Sequence, residues 1–245
     1  MMTLYPFETE VYEANDINVA FVGHPKAGEI DPDPSPSARQ EARGKLGYAN
    51  SDRVVAILPG SRGAEVRYSG PDFLAAAEKI AAKLPDTRFL IPAANEKRKA
   101  QIEELVAGLE SNLDVKIIDG ESTLAMQASD VVLVNSGTAT LEAMLLKRPM
   151  VMSYRLAPIS YAIVIRLVTT RWFALPNILA QKELVPEFIQ DAATPDALAD
   201  AVIRLLEDPA QPELLAEFHR IHQMLRQNSG ERAAAAILQL CGREG

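Results

Sequence analysis

The chain has 245 residues, 48% hydrophobic and 24% charged, a balance that supports a sizeable buried core and excludes a disordered or fibrous protein. Its formal net charge of -8 excludes general nucleic-acid binding, which needs clustered Lys and Arg against phosphate, so any anion site has to be local. The single cysteine, Cys241, excludes an internal disulfide framework and a Cys-rich zinc site, and no window reaches the about 18 consecutive apolar residues of a membrane span.

The first twenty residues carry Glu8, Glu10, Glu13 and Asp16 with no basic start and apolar block, so no secretory leader is expected and the reading is cytoplasmic. A helix-like stretch and one strand, "NVAFVG", fill residues 1–28, too little to bury a core. They read as the last unit of an amino-terminal domain, with Tyr5, Phe7, Val11, Tyr12 and Phe21 expected to lack packing partners. "GEIDPDPSPS", with prolines in alternate positions, predicts a stiff extended linker over 29–37. From residue 38 to about 207, strand-length apolar runs alternate with helical periodicity. The strands are "RVVAIL", "TRFLIP", "DVKIID", "DVVLVN" and "PMVMSY"; the clearest helices are "DFLAAAEKIAAKL" and "KRKAQIEELVAGL". This alternation predicts an α/β fold, a Rossmann-like parallel sheet covered on both faces, with ligands beyond the carboxyl ends of its strands. Residues 208–245 follow as carboxyl-terminal helices with no strand between them.

Two strand-to-helix loops carry chemistry. In "AILPGSRGAEV" a buried strand breaks into Pro59, Gly60, Ser61, Arg62 and Gly63, which matches neither the Walker phosphate loop nor the dinucleotide fingerprint. It has the parts of an anion site: glycines that let amides turn toward a ligand, and a guanidinium fork for phosphate. A tight turn with a solvated arginine is the competing reading. In "VNSGTATLEAMLLKRP" a strand meets a helix at Asn135, Ser136, Gly137 and Thr138, where Ser136 is suited to be the N-cap and free amides face any anion. Glu142 stands in an otherwise apolar helix with no basic partner at i+3 or i+4, so it needs donors from elsewhere. Ribose hydroxyls would serve, with Thr138 one turn earlier bordering the same pocket; so would backbone amides or an arginine of another loop.

Three further patterns are read as bland. Asp31 and Asp33 imitate an acid-x-acid metal pattern but fall in the linker. His219 and His222 lie three apart on a helix without a third ligand in view. "PISYAIVIRLV", flanked by Arg171 and Trp172, has the length of a core or interfacial helix.

Taken together, "LYPFETEVYEANDINVAFVGHP", "LPGSRGAEV", "SGTATLEAMLLKRPMVMSYR" and "LPNILAQKELVPEFIQ" resemble, in order and over nearly the whole chain, the lipid-A-disaccharide synthases, bacterial glycosyltransferases with two Rossmann domains. The resemblance implies the donor-binding half of a two-domain B-type glycosyltransferase fold. It implies transfer of diacylglucosamine from its UDP donor to the 6-hydroxyl of diacylglucosamine 1-phosphate, with inversion, no metal and no cofactor. Arg62, the catalytic candidate, and Ser61 would hold the diphosphate and neutralise charge on the departing UDP. Ser136, Gly137 and Thr138 would set amides on the phosphates, Glu142 would hold the ribose, and Asn177 in "LPN" matches a position near the donor. His24 would end the strand before the linker and face the cleft. The resemblance implies that the acceptor site, the general base and the surface toward the cytoplasmic face of the inner membrane belong to the family's amino-terminal domain, of which this chain matches only the last unit. Competing readings are a UDP or UDP-sugar binding fragment without catalysis, and a UDP-sugar epimerase-like protein.

Overall fold

A computed structural model describes residues 1–157, 161, 171–240 and 242. The apolar stretch 158–168 lies outside the described residues apart from Tyr161, as does Cys241.

Six strands form one wholly parallel sheet: β3 (Arg53–Leu58), β4 (Thr87–Ala93), β5 (Val115–Asp119), β6 (Val131–Asn135), β7 (Met150–Tyr154) and β8 (Glu187–Ile189), in spatial order β5-β4-β3-β6-β7-β8. The four central strands are apolar and almost continuously buried because helices cover both faces. On one face lie α4 (Gly63–Lys83), α5 (Glu96–Ala107) and α9 (Pro195–Glu207); their core includes Phe73, Ile80, Phe89, Leu133 and Val202. On the other, α7 (Thr138–Leu145), α8 (Leu175–Ala180) and α10 (Pro212–Leu225) pack around Val134, Leu141, Met144 and Phe218. Next to them α3 (Pro36–Leu46) and α6 (Ser122–Ala128) meet over Leu46, Val54 and Leu90. Arg43 fastens α3 under the sheet: it is 2% exposed, donates to the carbonyls of Ala128 and Asn50, and pairs with Asp130 at 2.8 Å, whose carboxylate also accepts the Val54 amide.

The structure departs from the sequence reading at three places outside the site. α4 begins at Gly63, nine residues before the predicted Asp72, and carries Pro71 inside it. Gly70 and Pro71 read as a break, but burial of Val66, Ser69 and Gly70 against the sheet and α5 outweighs the one hydrogen bond that Pro71 forgoes. The linker is shorter than 29–37. A short helix α2 (Pro25–Glu29) occupies its start, and Ser35 caps α3 by accepting the Ser37 amide, with Pro36 in the first turn where no N–H is needed. The amino-terminal unit, β1 (Met2–Thr3), α1 (Phe7–Glu13) and β2 (Ala20–Phe21), makes a two-stranded parallel sheet of its own. Tyr5 and Phe7 stack at 5.5 Å and, with Phe21, pack on the α7/α10 core, so these three have the partners they were expected to lack; Val11 stays 63% exposed. α11 (Ser229–Leu240) contacts α2, and its Arg232 donates to the Phe21 carbonyl.

The two histidines of α10 point to different surroundings. His219 is half-exposed, 3.5 Å from Asp33, whereas His222 is fully buried. The Ala27 carbonyl can only accept, so His222 Nε2 carries the proton, and its Nδ1 accepts from Lys147 Nζ at 2.7 Å. Burial, and then Lys147, hold the His222 pKa below its ordinary value; burial brings the Lys147 amine down to about 8. The unfolded chain therefore binds more protons than the folded one as pH drops below about 6.5, and stability contributed by neutral His222 is present above that pH and lost beneath it. The melting temperature is expected to fall between pH 7 and pH 5.5 and to fall less in His222→Gln; equal slopes in the two proteins would contradict this.

Candidate functional site

β3 and β6 are neighbours, but the chain continues from β3 outward to β4 and from β6 outward to β7, so the strand order reverses between them. The loops leaving such a pair diverge to opposite faces and open a crevice above the carboxyl ends, where doubly wound sheets bind ligands. A cavity of about 550 Å³ lies there. Its walls are the β3–α4 turn with Gly60, Ser61, Arg62 and Glu65, the β6–α7 turn from Asn135 to Ala139 with Glu142, and the β5–α6 turn with Gly120, Glu121 and Ser122. The structure thus brings Ser61, Arg62, Ser136, Gly137, Thr138 and Glu142, which lie up to 81 positions apart in sequence, around one space.

The β3–α4 turn is built around Glu65, a residue that sequence reasoning passed over. Its Oε2 accepts the amides of Ser61 (2.9 Å) and Arg62 (3.1 Å), and its Oε1 accepts Arg62 Nη1 at 2.7 Å. Gly60 is required for this. It has φ +125°, and a Cβ there would fall 2.4 Å from the Glu65 Cβ. The amides expected to meet a phosphate are therefore held by the chain's own carboxylate, a cap supplied by Glu65 from the first turn of α4. What the turn offers a ligand is the Arg62 guanidinium, 82% exposed, anchored through one nitrogen.

At the β6–α7 turn the N-cap is Gly137, at φ +142°, and not Ser136. The Ser136 amide donates to the Ser153 carbonyl at 3.0 Å, a consequence of the parallel pairing of β6 with β7. The N–H groups of the first turn of α7, Thr138 and Ala139, have no carbonyl ahead of them in the helix. Glu142 is half-buried and accepts from the Thr123 hydroxyl of α6, so part of its hydrogen-bonding demand is met inside the protein, by a hydroxyl rather than an arginine. Beside the mouth, burial and the nearby Glu65 push the Tyr154 phenol above its ordinary pKa.

Asn177, which the resemblance sets near the donor, stands apart from these turns. It is fully buried and does not line the cavity. Nδ2 donates to the Val185 carbonyl (2.9 Å) and Glu187 Oε1 (2.7 Å), while Oδ1 accepts the amides of Leu184 (2.7 Å) and Val185 (2.9 Å). All four of its hydrogen-bonding positions are occupied. Burial holds the pKa of Glu187 above its ordinary value, against the opposing effect of the Phe173 and Ala174 amides that it also accepts. The pair ties α8 to β8. His24 likewise serves structure, capping α2 by accepting the Lys26 amide and lying 5.6 Å from the Tyr5 ring.

Among the described residues no group of three or more His, Cys, Asp or Glu is placed to hold a metal ion, and no helix is long and apolar enough to cross a membrane.

Comparison with known proteins agrees with the fold. The fold is similar to that of the glycosyltransferase WaaG, involved in lipopolysaccharide biosynthesis (TM-score 0.59, 16% identity, covering 96% of this chain and 62% of that one). It is similar too to a UDP-GlcNAc 2-epimerase from Neisseria meningitidis bound to UDP-GlcNAc (TM-score 0.62, 15% identity, 97% and 61%). At such identities the likeness is one of fold: the Rossmann-like half of B-type glycosyltransferases. Sequence relatives are nearer. The chain is 48% identical over 243 residues to the lipid-A-disaccharide synthase of Pseudomonas syringae pv. syringae (strain B728a) and 47% identical over 244 residues to that of Azotobacter vinelandii. Each alignment takes in 99% of this chain, which spans 62% and 63% of those proteins' lengths. A family model described as lipid-A-disaccharide synthetase matches residues 1–239, and the chain belongs to that family.

Proposed function

We propose that this chain holds the UDP end of UDP-linked diacylglucosamine for transfer of the sugar to diacylglucosamine 1-phosphate, with inversion. The observation that carries the reading is the meeting, at the switch point of the sheet, of the Arg62 guanidinium and the open first turn of α7 across one cavity. Guanidinium and helix terminus both favour negative charge, and charge grows on the β-phosphate as the glycosidic bond breaks, so the pair stabilises the leaving group more in the transition state than before it. Ser61 and Ser136 border the phosphates through their side chains, since their amides are engaged, and Glu142 accepts from the ribose while held by Thr123. The acceptor site and the base belong to the part of the relatives that this chain does not span. Both sugars carry acyl chains, so the reaction takes place at the cytoplasmic face of the inner membrane.

A second reading is favoured by one feature of the cavity: its walls supply the leaving-group side alone. On that reading the chain by itself is a UDP-sugar binding module. Epimerase chemistry has only the shared fold in its favour.

Arg62→Ala is expected to weaken UDP binding by about 1.5 to 3 kcal/mol, the range of a charge-assisted hydrogen bond, with the fold intact, and Arg62→Lys to recover part of it. Titration calorimetry showing the Ala variant equal to the parent would remove Arg62 from the site.

A further inference from the structure

Among the described residues, the walls of the cavity hold one cation, Arg62, against three carboxylates, Glu65, Glu121 and Glu142, and Arg62 is already paired with Glu65. A nucleoside diphosphate brings at least two more negative charges. Dipole and amides at α7 offset a fraction of that, so the site as lined lacks positive charge.

A second guanidinium lies against Gly63, the residue that follows Arg62. Arg98 lies in the first turn of α5, where Asn95 caps the helix by accepting the Arg98 amide at 3.1 Å. α5 is joined to the start of α4 by Gln101, which donates to the Gly63 carbonyl. Arg98 rests directly on Gly63: a Cβ at position 63 would lie 2.5 Å from Arg98 Nη1 and 3.2 Å from its Cζ. Gly63 has an ordinary helical backbone, so its lack of a side chain serves clearance, not conformation. Arg98 forms no ion pair among the described residues, and its Nε is buried without a hydrogen-bond partner. It is thus an uncompensated cation seated against the residue that follows Arg62, with a glycine that lets it come so close.

We propose that Arg98 is a second phosphate-binding residue of this site, laid against Gly63 so that its guanidinium reaches the diphosphate together with that of Arg62. The inference rests on the reading of the cavity as a diphosphate site. It gives the two glycines of "GSRG" separate tasks: Gly60 makes room for Glu65, and Gly63 for Arg98.

The test uses the 245-residue chain and three probes, pyrophosphate, UDP and uridine. Arg98→Gln is expected to lose about tenfold or more in affinity for pyrophosphate and UDP and nothing for uridine, with a shallower dependence on salt. Gly63→Ala should lose affinity in the same pattern with Arg98 still present. The clash falls on the far end of a flexible side chain, so the substitution displaces Arg98 and leaves the fold. Combining the two should add no further loss. Pyrophosphate binding unchanged in Arg98→Gln but weakened in Arg62→Ala would overturn the role of Arg98 alone. Binding unchanged in both would overturn the diphosphate site itself. An equal loss for uridine and pyrophosphate in Arg98→Gln would make Arg98 a structural residue and end the proposal.

Discussion

The purified 245-residue chain, given UDP-linked diacylglucosamine and diacylglucosamine 1-phosphate, is expected to bind UDP and to form no disaccharide above background. Inverting transfer needs a base on the face of the donor sugar opposite the diphosphate, within hydrogen-bond reach of the acceptor hydroxyl. The carboxylates around the cavity are placed otherwise: Glu65 is bound to two amides and Arg62, Glu142 of α7 is bound to Thr123 of α6, and Glu121 precedes α6 at φ +51°. All three stand on the walls of the cavity between the β3–α4, β5–α6 and β6–α7 turns. Orientation of two bound substrates contributes roughly 7 to 11 kcal/mol in favourable cases, and this chain spans 62% of the length of the Pseudomonas syringae relative. A coupled assay for released UDP, run beside calorimetric UDP binding, separates the two functions. Turnover at a rate comparable to a full-length relative would show that base and acceptor site both lie within these residues.

Asn177→Ala is expected to destabilise the protein by about 3 to 5 kcal/mol while leaving the affinity for UDP, measured on the folded fraction, unchanged. The substitution leaves two amides, a carbonyl and the Glu187 carboxylate short of partners in a fully buried place, and each unmet group costs about 1 to 3 kcal/mol before local relaxation or entering water returns some of it. Asn177→Asp should be no milder, because a second carboxylate would then face Glu187 at hydrogen-bond distance. Urea unfolding followed by fluorescence gives the stability change. A loss under 1 kcal/mol, or a loss of UDP affinity at full stability, would return Asn177 to the donor site.

Much of the candidate site was legible before the fold. Arg62, Gly137 and Glu142 each broke a local rule: a charged residue at the end of a buried strand, a glycine where a strand turns into a helix, a carboxylate on an apolar helix. Glu65, Arg98 and Asn177 broke none. Glu65 and Arg98 are ordinary residues of polar helix turns, and their meaning comes from the Gly60 and Gly63 contacts, which join segments by proximity that periodicity does not encode. Asn177 follows a proline as turn residues do, and its burial depends on β8, a three-residue strand too short to show a pattern.

The sequence by itself determined the α/β class, five of the six strands of the main sheet, the two loops that carry the chemistry, and the family, because alternation of apolar runs and the residues that punctuate them are local properties. Tertiary structure alone decided which backbone amides remain open to a ligand. Ser61 and Ser136 sit in loops of the right composition, yet one amide is held by a carboxylate four residues ahead and the other by a strand partner seventeen residues away. Each backbone N–H can serve one partner well, and which partner arrives first is fixed by how β3, β6 and β7 are brought side by side.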